Sequence, residues 1–515
     1  MSAGIVGRAH TISLMGLEAT PILIEAVVLN GLPSFALVGL ADAAVNEARE
    51  RLRAGFHHLG VNWPNQRLTV NLSPGDVTKT GTGFDLGIAV AILEAVGYRG
   101  FSADTAFIGE LGLDGSIRPV RGVLPAVMAA ADRGFATVVV PARNLPEALL
   151  VSGIEAVGIN HLAELAGYMG VDVQGKPTGY EQRFTGVAHD VIVDTGMDAG
   201  PDLDLKDIYG QEEALGALEI AAAGGHHMLM LGPPGVGKSM LAERLPGILP
   251  DLTHEQAVAV AAIRSLDGQE VTGLPRRPPF AAPHHTATVA ALVGGGAGIP
   301  HPGAITKAHH GVLFCDEFAE FSAAAIQSLR QPMEKGWVEL SRVRARVRYP
   351  ARFQLVAAAN PCRCGMAFDG GGLCTCSARE RRTYKSQLGG PVRDRLDIYL
   401  RLNRPSRADM RRGGITDSAT VAQRVRIARA RALARQEETG VELNAQLSGR
   451  WLRAHTPIGP GMSTHLEQAL QKADLSMRGV DRILRLAWTL SDLADKDQPD
   501  DDDLALALAL RAGAP

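Results

Sequence analysis

A short apolar run, Met228 to Leu231, empties into Gly232, Pro233, Pro234, Gly235, Val236, Gly237, Lys238, Ser239 and Met240. It fits G-x-x-x-x-G-K-[ST], with strand, loop and helix in the order that motif needs. Glycines let the backbone wrap phosphates, with its N–H groups pointing inward at the positive end of the following helix. Lys238 is placed to reach the β- and γ-phosphates, and the Ser239 hydroxyl to sit on Mg²⁺. These residues bind a nucleoside triphosphate. A second group follows in GVLFCDEF, where four apolar residues make a buried strand tipped by Asp316 and Glu317. Asp316 suits Mg²⁺ held through its water shell, and Glu317 suits orienting and polarising an attacking water. A third strand, Phe353 to Asn360, ends in an amide suited to the γ-phosphate or the water. An ordinary turn asparagine before Pro361 is the plainer reading.

Four of the five cysteines, Cys362, Cys364, Cys374 and Cys376, crowd into one glycine-rich loop spaced C-x-C-x₉-C-x-C. Four thiolates suit a tetrahedral structural Zn²⁺ with no open position for catalysis; reduced thiols or reversible disulfides are the alternatives. Cys315 reads as a small buried hydrophobe. In ELSRVRARVRYPARF, Arg342, Arg344, Arg346 and Arg348 alternate strictly, so a strand would put all four guanidiniums on one face. Such a stripe grips phosphates without reading sequence, although charge guarding an exposed strand edge gives the same pattern. The adjacent pairs His226-His227, His284-His285 and His309-His310 lack metal-ligand spacing. His284 and His285 lie in a long glycine-rich insertion before the Asp316 strand, and such loops are usually functional or mobile.

These groups need elements to hold them. At 515 residues the length prior gives roughly three or four domains. Residues 1–175 read as a mixed α/β domain without a phosphate loop, with strands at Ile22 to Leu29 and Arg67 to Leu72. A helix is expected from Ala41 to Leu59, with Arg49, Arg51 and Arg53 on its polar side. Residues 176–202 read as a linker, 203–403 as the nucleotide-binding core, and 404–515 as a helical lid. The four acids Asp500 to Asp503 read as a solvated helix start. A hydrophobic content of 46% and a net charge of −3 describe a globular chain, so any nucleic-acid surface must be local. The N-terminal stretch has no signal-peptide pattern, and no apolar run is long enough to cross a bilayer. With its cysteines gathered in one loop, the chain is expected in the cytoplasm, with no membrane partner.

Asn71 to Ala95 and Gly109 to Phe135 resemble the proteolytic domain of Lon proteases, which implies a ribosomal-protein-S5-like α+β fold. Where those proteases carry their Ser/Lys dyad, this chain has Asp85 and Leu124. Neither supplies a nucleophile or its base, so a structural or partner-binding domain is expected. GPPGVGKS, APHHTATVAALVGGG, GVLFCDE, YPARFQLVAAANPCRCG and DRLD together resemble the YifB/ComM family of magnesium-chelatase-like AAA+ ATPases. The resemblance covers nearly the whole chain. It implies a central AAA+ α/β domain, a helical lid and a homo-hexameric ring that hydrolyses ATP with Mg²⁺. The ring is implied to be a helicase promoting branch migration on branched or single-stranded DNA. It also implies adenine contacts at Tyr209 and Gly210 and a sensor role for Asn360. Arg395 of DRLD matches the arginine finger supplied to a neighbouring subunit, with Arg393 the second choice and a surface Arg–Asp pair the alternative. Arg478 falls at the sensor-2 arginine; a solvated arginine fits equally. The arginine hairpin falls where such helicases place a DNA-contacting pore hairpin. Two details depart: CRC stands where CPC is expected, and RVRAR is more basic than expected. The rival readings are a magnesium-chelatase-like ATPase that remodels a protein partner, and an ATP-dependent protease.

Overall fold

The computed structural model of the chain describes residues 5–172 and 203–512, apart from 41, 80, 297–299, 343–344, 368–373, 388–391, 393, 413, 415 and 472–475. The expected linker, 176–202, lies outside the described residues, as do Arg344 and Arg393.

The N-terminal part is built on a seven-stranded sheet in the order Ser34–Val38, Arg67–Ser73, Glu18–Leu29, Val6–Met15, Thr105–Phe107, Thr137–Pro141, Glu155–Ile159. Val6–Met15 and Glu18–Leu29 form a hairpin, from Val6 opposite Val27 to Met15 opposite Glu18. The helix Asp85–Ala95 is apolar nearly all round and is buried almost throughout, as a helix covered on all sides must be. The region expected as one helix from Ala41 divides into Ala43–Asn46 and Ala48–His58. Arg51 does not sit on its polar side. It turns inward, because Asp85 at the start of the buried helix needs a counter-charge.

The central part has a five-stranded sheet in the order Phe280–Ala281, Val312–Cys315, Gln354–Ala359, Met228–Leu231, Ile398–Arg401, and every pairing is parallel. Met228–Leu231, Val312–Cys315 and Gln354–Ala359 are buried at every position, as a parallel sheet covered on both faces requires. Three neighbouring strands therefore deliver Gly232, Asp316 and Asn360 to the same edge. That carboxyl edge is where open α/β sheets bind ligands.

Behind the sheet, Ser418–Ala434, Met477–Leu493 and Asp501–Ala512 pack with Glu212–Gly224 around one core that includes Leu218, Ala222, Met230, Val425, Leu486 and Trp488. Ser476 caps Met477–Leu493 by accepting from Gly479 N. The acidic run opens the last helix as expected, although Asp503 is buried against Lys496. The N-terminal part docks on the helix His254–Asp267 through Leu124 and Leu150, which bury against Ala257, Ala261, Ala262, Val271 and Leu274. Leu124 N also donates to Ser265 Oγ at 3.3 Å. Among the described residues, no helix is long and apolar enough to cross a membrane.

Candidate active site

Gly235 (φ +75°) and Gly237 (φ +96°) give the phosphate loop the left-handed backbone that other residues rarely adopt. Pro234 and Gly235 are exposed at its crest, and Val236 is buried beneath. Lys238 Nζ donates to Gly232 O at 2.8 Å, Pro233 O at 3.0 Å and Asn360 Oδ1 at 3.1 Å. Burial draws this ammonium below its usual pKa, with Asp316 and Glu317 pulling the other way. Ser239 Oγ donates to Asp316 Oδ2 at 2.9 Å, so a hydroxyl and a carboxylate from two elements converge. Two oxygens of this kind beside a phosphate loop fit Mg²⁺, which takes few protein ligands and shares the rest with phosphates and water. Asp316 Oδ1 also accepts from Glu317 N at 2.8 Å.

Glu317 adopts φ 49°, ψ 43°, a left-handed conformation unusual for a residue with a side chain. His285 Nδ1 lies 2.8 Å from its Oε2. Nothing in the residue pattern pointed to this pair: the two residues are far apart in the chain, and adjacent histidines have no ligand spacing. Asn360, by contrast, stands where strand order placed it.

Arg395 is buried, with 8% of its side chain exposed, and it is ion-paired with Glu334 of the helix Arg330–Lys335. Asp397, two residues on, is fully buried between Arg482 and His226. Burial pushes its carboxyl up, but Arg482 and His226 outweigh this and hold it far below the usual range. Arg478 is exposed on the first turn of its helix, one turn before Arg482. Tyr209 and Met240 are exposed, and Gly210 packs against Asp409, where a Cβ would fall 2.4 Å from Asp409 Cβ.

The four loop cysteines come together with their sulfurs within 4.8 Å of one another. Cys362 Sγ lies 3.3 Å from Cys364 Sγ and 3.8 Å from Cys374 Sγ, with 3.6 Å between the latter two. A tetrahedron with Zn–S of about 2.3 Å needs sulfurs about 3.8 Å apart, so the four donors lie near the spacing that would hold a zinc ion. A disulfide would need about 2.05 Å, and all four thiols are free. The Cys loop also touches the phosphate loop: a Cβ on Gly365 would fall 2.6 Å from Pro234 Cδ.

The arginine run is a hairpin, Trp337–Arg342 with Ala345–Pro350, and this corrects the single stripe. Arg346 lies opposite Ser341 and Arg348 opposite Glu339, so these two share a face. Arg342 lies opposite Ala345, on the other face with Leu340 and Val347, because the chain reverses after it and resets the alternation. Arg346 and Arg348 are 72% and 55% exposed at the side chain, and both reach Glu339. Arg348 also lies over the Trp337 ring at 4.2 Å.

Three family models account for most of the chain: "Magnesium chelatase, subunit ChlI" over residues 204–410, "Subunit ChlI of Mg-chelatase" over 24–144, and "Magnesium chelatase, subunit ChlI C-terminal" over 415–511. A protein of Mycobacterium tuberculosis is 44% identical over 510 residues, covering 98% of both chains. YifB of Escherichia coli is 37% identical over 518 residues, covering 99% of this chain and 97% of its own. Competence protein ComM of Haemophilus influenzae is 37% identical over 517 residues, covering 99% and 98%. The chain belongs to the YifB/ComM family of magnesium-chelatase-like proteins. Its phosphate loop and acidic strand tip are those of an AAA+ ATPase.

The N-terminal part of this family member is also similar to Lon protease 2 of Bacillus subtilis, 35% identical over 137 residues, a quarter of either chain. Asp85 is fully buried, with Arg51 Nε on its Oδ2 at 2.6 Å and Leu111 N at 3.0 Å. Leu124 is one of the residues that dock onto the ATPase part. Both residues have structural work.

Proposed function

We propose that the chain is the subunit of a homo-hexameric ring that hydrolyses ATP to drive itself along DNA, and that it promotes branch migration in recombination or DNA uptake. The observation that carries this is the exposed pair Arg346 and Arg348, presented on a hairpin that runs directly into the strand ending at Asn360. The competence role in the name of the Haemophilus relative supports the same reading.

In this reading Ser239 and Asp316 would hold Mg²⁺, which would supply positive charge to the phosphate oxygens. Lys238 leaves Gly232 O and Pro233 O for the β/γ-phosphates, Glu317 orients the water, and Asn360 reports the γ-phosphate. Tyr209 and Gly210 border the adenine, and Arg478 reaches the nucleotide from the lid. Arg395, released from Glu334, supplies charge to the next subunit's site. Cys362, Cys364, Cys374 and Cys376 would hold a structural zinc, which would stiffen the loop that packs against Pro234. We place the ring in the cytoplasm.

The test is the salt dependence of DNA binding. Removing a phosphate contact lowers the slope of log K against log salt by about 0.9 on duplex and 0.7 on single strands. Replacing Arg346 and Arg348 together by Ala should lower the slope by up to ~2 and weaken binding on every sequence. An unchanged slope contradicts the hairpin. The match to chelatase subunits favours a second reading, a ring that remodels a protein partner. ATP hydrolysis unaffected by any DNA would select it.

A further inference from the structure

We propose that the N-terminal part positions the arginine hairpin: its turn at Met15, Gly16 and Leu17 covers the hairpin's buried face, and so fixes where Arg346 and Arg348 stand when they meet a phosphate backbone. The fixing of the hairpin stands on packing alone. Its use in gripping phosphates rests on the DNA reading above.

Among the described residues, the hairpin Trp337–Arg342 with Ala345–Pro350 is a two-stranded sheet that joins no other sheet. Two strands alone are marginal in water and need a covered apolar face. Register puts Val338 opposite Tyr349 and Leu340 opposite Val347, on the face away from Arg346 and Arg348. All four are buried, Val347 and Tyr349 to 1% exposure. That cover comes from outside the hairpin. Met15 and Leu17 of the N-terminal part and Leu266 of the helix His254–Asp267 pack against the core that holds these four residues. Between Met15 and Leu17 the approach is so close that a Cβ on Gly16 would fall 2.3 Å from Val347 Cγ1 and 3.2 Å from Tyr349 Cε1. On the Leu340 side the glycine-rich insertion closes in, a Cβ on Gly294 falling 2.9 Å from Leu340 Cδ1. Tyr349 Oη donates to Pro300 O of the same insertion.

The turn is a firm support. It closes Val6–Met15 and Glu18–Leu29, strands of 10 and 12 residues inside the seven-stranded sheet. Gly16 has φ +67°, the left-handed backbone that a two-residue hairpin turn favours. The same end of the sheet is tied to the ATPase part beside the hairpin. Gly122 N donates to Ser265 O at 3.0 Å, and a Cβ on Gly122 would fall 2.5 Å from Leu14 Cδ1, one residue before the turn's Met15. Arg121 lies over Gly268, at the end of the helix that carries Ser265, where a Cβ would fall 2.7 Å from its Nε. One folded unit therefore meets that helix and the hairpin together. The hairpin's inner face cannot shift towards the N-terminal part unless the turn yields, and Arg346 and Arg348, on the outer face of the same ribbon, keep the position this sets.

The experiment compares the full-length parent with Gly16→Ala, Val347→Ala, the double variant and Leu17→Ala. Amide hydrogen exchange of the two hairpin strands is read without DNA, and binding of single-stranded DNA is read through its salt dependence. Gly16→Ala drives a methyl into Val347 and should speed exchange in the hairpin about fivefold or more, the order of change that overpacking one contact produces. In the Val347→Ala background the methyl has room, so Gly16→Ala should add little there; strain confined to the turn would add equally in both backgrounds. Leu17→Ala, which thins the cover without straining the turn, should speed the same amides. DNA-free ATP turnover and nucleotide binding should be unchanged in Gly16→Ala, while the slope of log K against log salt should fall by up to ~2 as the two arginines lose their phosphates. Hairpin exchange like the parent's in Gly16→Ala and Leu17→Ala, or equal effects of Gly16→Ala in both backgrounds, overturns the support. Faster hairpin exchange with an unchanged salt slope overturns the positioning of the arginines. A parent that binds no DNA defeats the DNA reading, while the exchange data still decide whether the N-terminal part fixes the hairpin.

Discussion

Lys238 commits three donors to Gly232 O, Pro233 O and Asn360 Oδ1, so in the proposed mechanism the group that meets the phosphates is already tied to the residue that senses them. A side chain that must trade these partners for phosphate oxygens is held in reach but poised to turn. Arg395 is likewise held by Glu334, and in the proposed mechanism it acts only once released. On that account Arg395→Ala should lower ATP turnover by ~10³-fold, the order found for arginine fingers, with nucleotide binding intact. Turnover retained in the variant rejects the finger; a titration of a fluorescent nucleotide checks the binding arm. At this scale the sequence was informative where chemistry is local. Lys238, Ser239 and Asp316 were legible because a phosphate loop and a strand tip are defined by contiguous residues. His285 on Glu317 and Glu334 on Arg395 were not, because each pairs residues from different elements, and spacing carries no trace of them.

The elements follow from apolar runs. Met228–Leu231, Val312–Cys315 and, after its first residue, Gln354–Ala359 are continuous hydrophobic segments, which is how a strand buried on both faces reads. The arginine hairpin misled for a related reason. Strict alternation holds within one strand, but a reversal inside the run returns Arg342 to the face opposite Arg346 and Arg348. Arg51 misled too, since a helix's polar side was read as solvent when a buried acid lay across from it. Asp85 shows what that contact is for: burial raises its carboxyl pKa even with Arg51 bonded to it. Arg51→Leu should therefore destabilise the N-terminal part by about 3–5 kcal/mol, the range for stranding one partner of a buried pair. Arg51→Leu with Asp85→Leu should recover most of the loss. Urea unfolding of both variants checks it, and equal losses would mean the pair is not what matters there.

Across the whole molecule, the N-terminal part is packed against the ATPase part. Leu124 docks on the helix His254–Asp267, and the turn at Gly16 lies against the arginine hairpin, where a Cβ would fall 2.3 Å from Val347 Cγ1. Resemblance alone predicted the fold of this part but not its seat, because a docking surface of Leu and Ala reads like any other core. Stability of the whole should also depend on pH. His227 and His309 accept hydrogen bonds at Nδ1 from Leu355 N and Arg352 N, and burial holds His227 at about 4, His309 at about 3 and His310 at about 4. Unfolded imidazole titrates near 6.5, so between about 6.5 and 4 the unfolded chain binds more protons than the folded one. Stability should then fall as pH falls through this window, by up to ~1.4 kcal/mol per pH unit for each histidine. Tm measured from pH 7.5 to 4.5 checks the slope, and His309→Asn should flatten it.

The central claim is that ATP hydrolysis at the Lys238 site drives movement on DNA. Its most direct test is the ATP-dependent resolution of a labelled four-way DNA junction by the full chain, with Lys238→Ala alongside. The account predicts resolution by the parent and none by the variant. A parent that leaves the junction intact, with ATP turnover unchanged by any DNA, would contradict it.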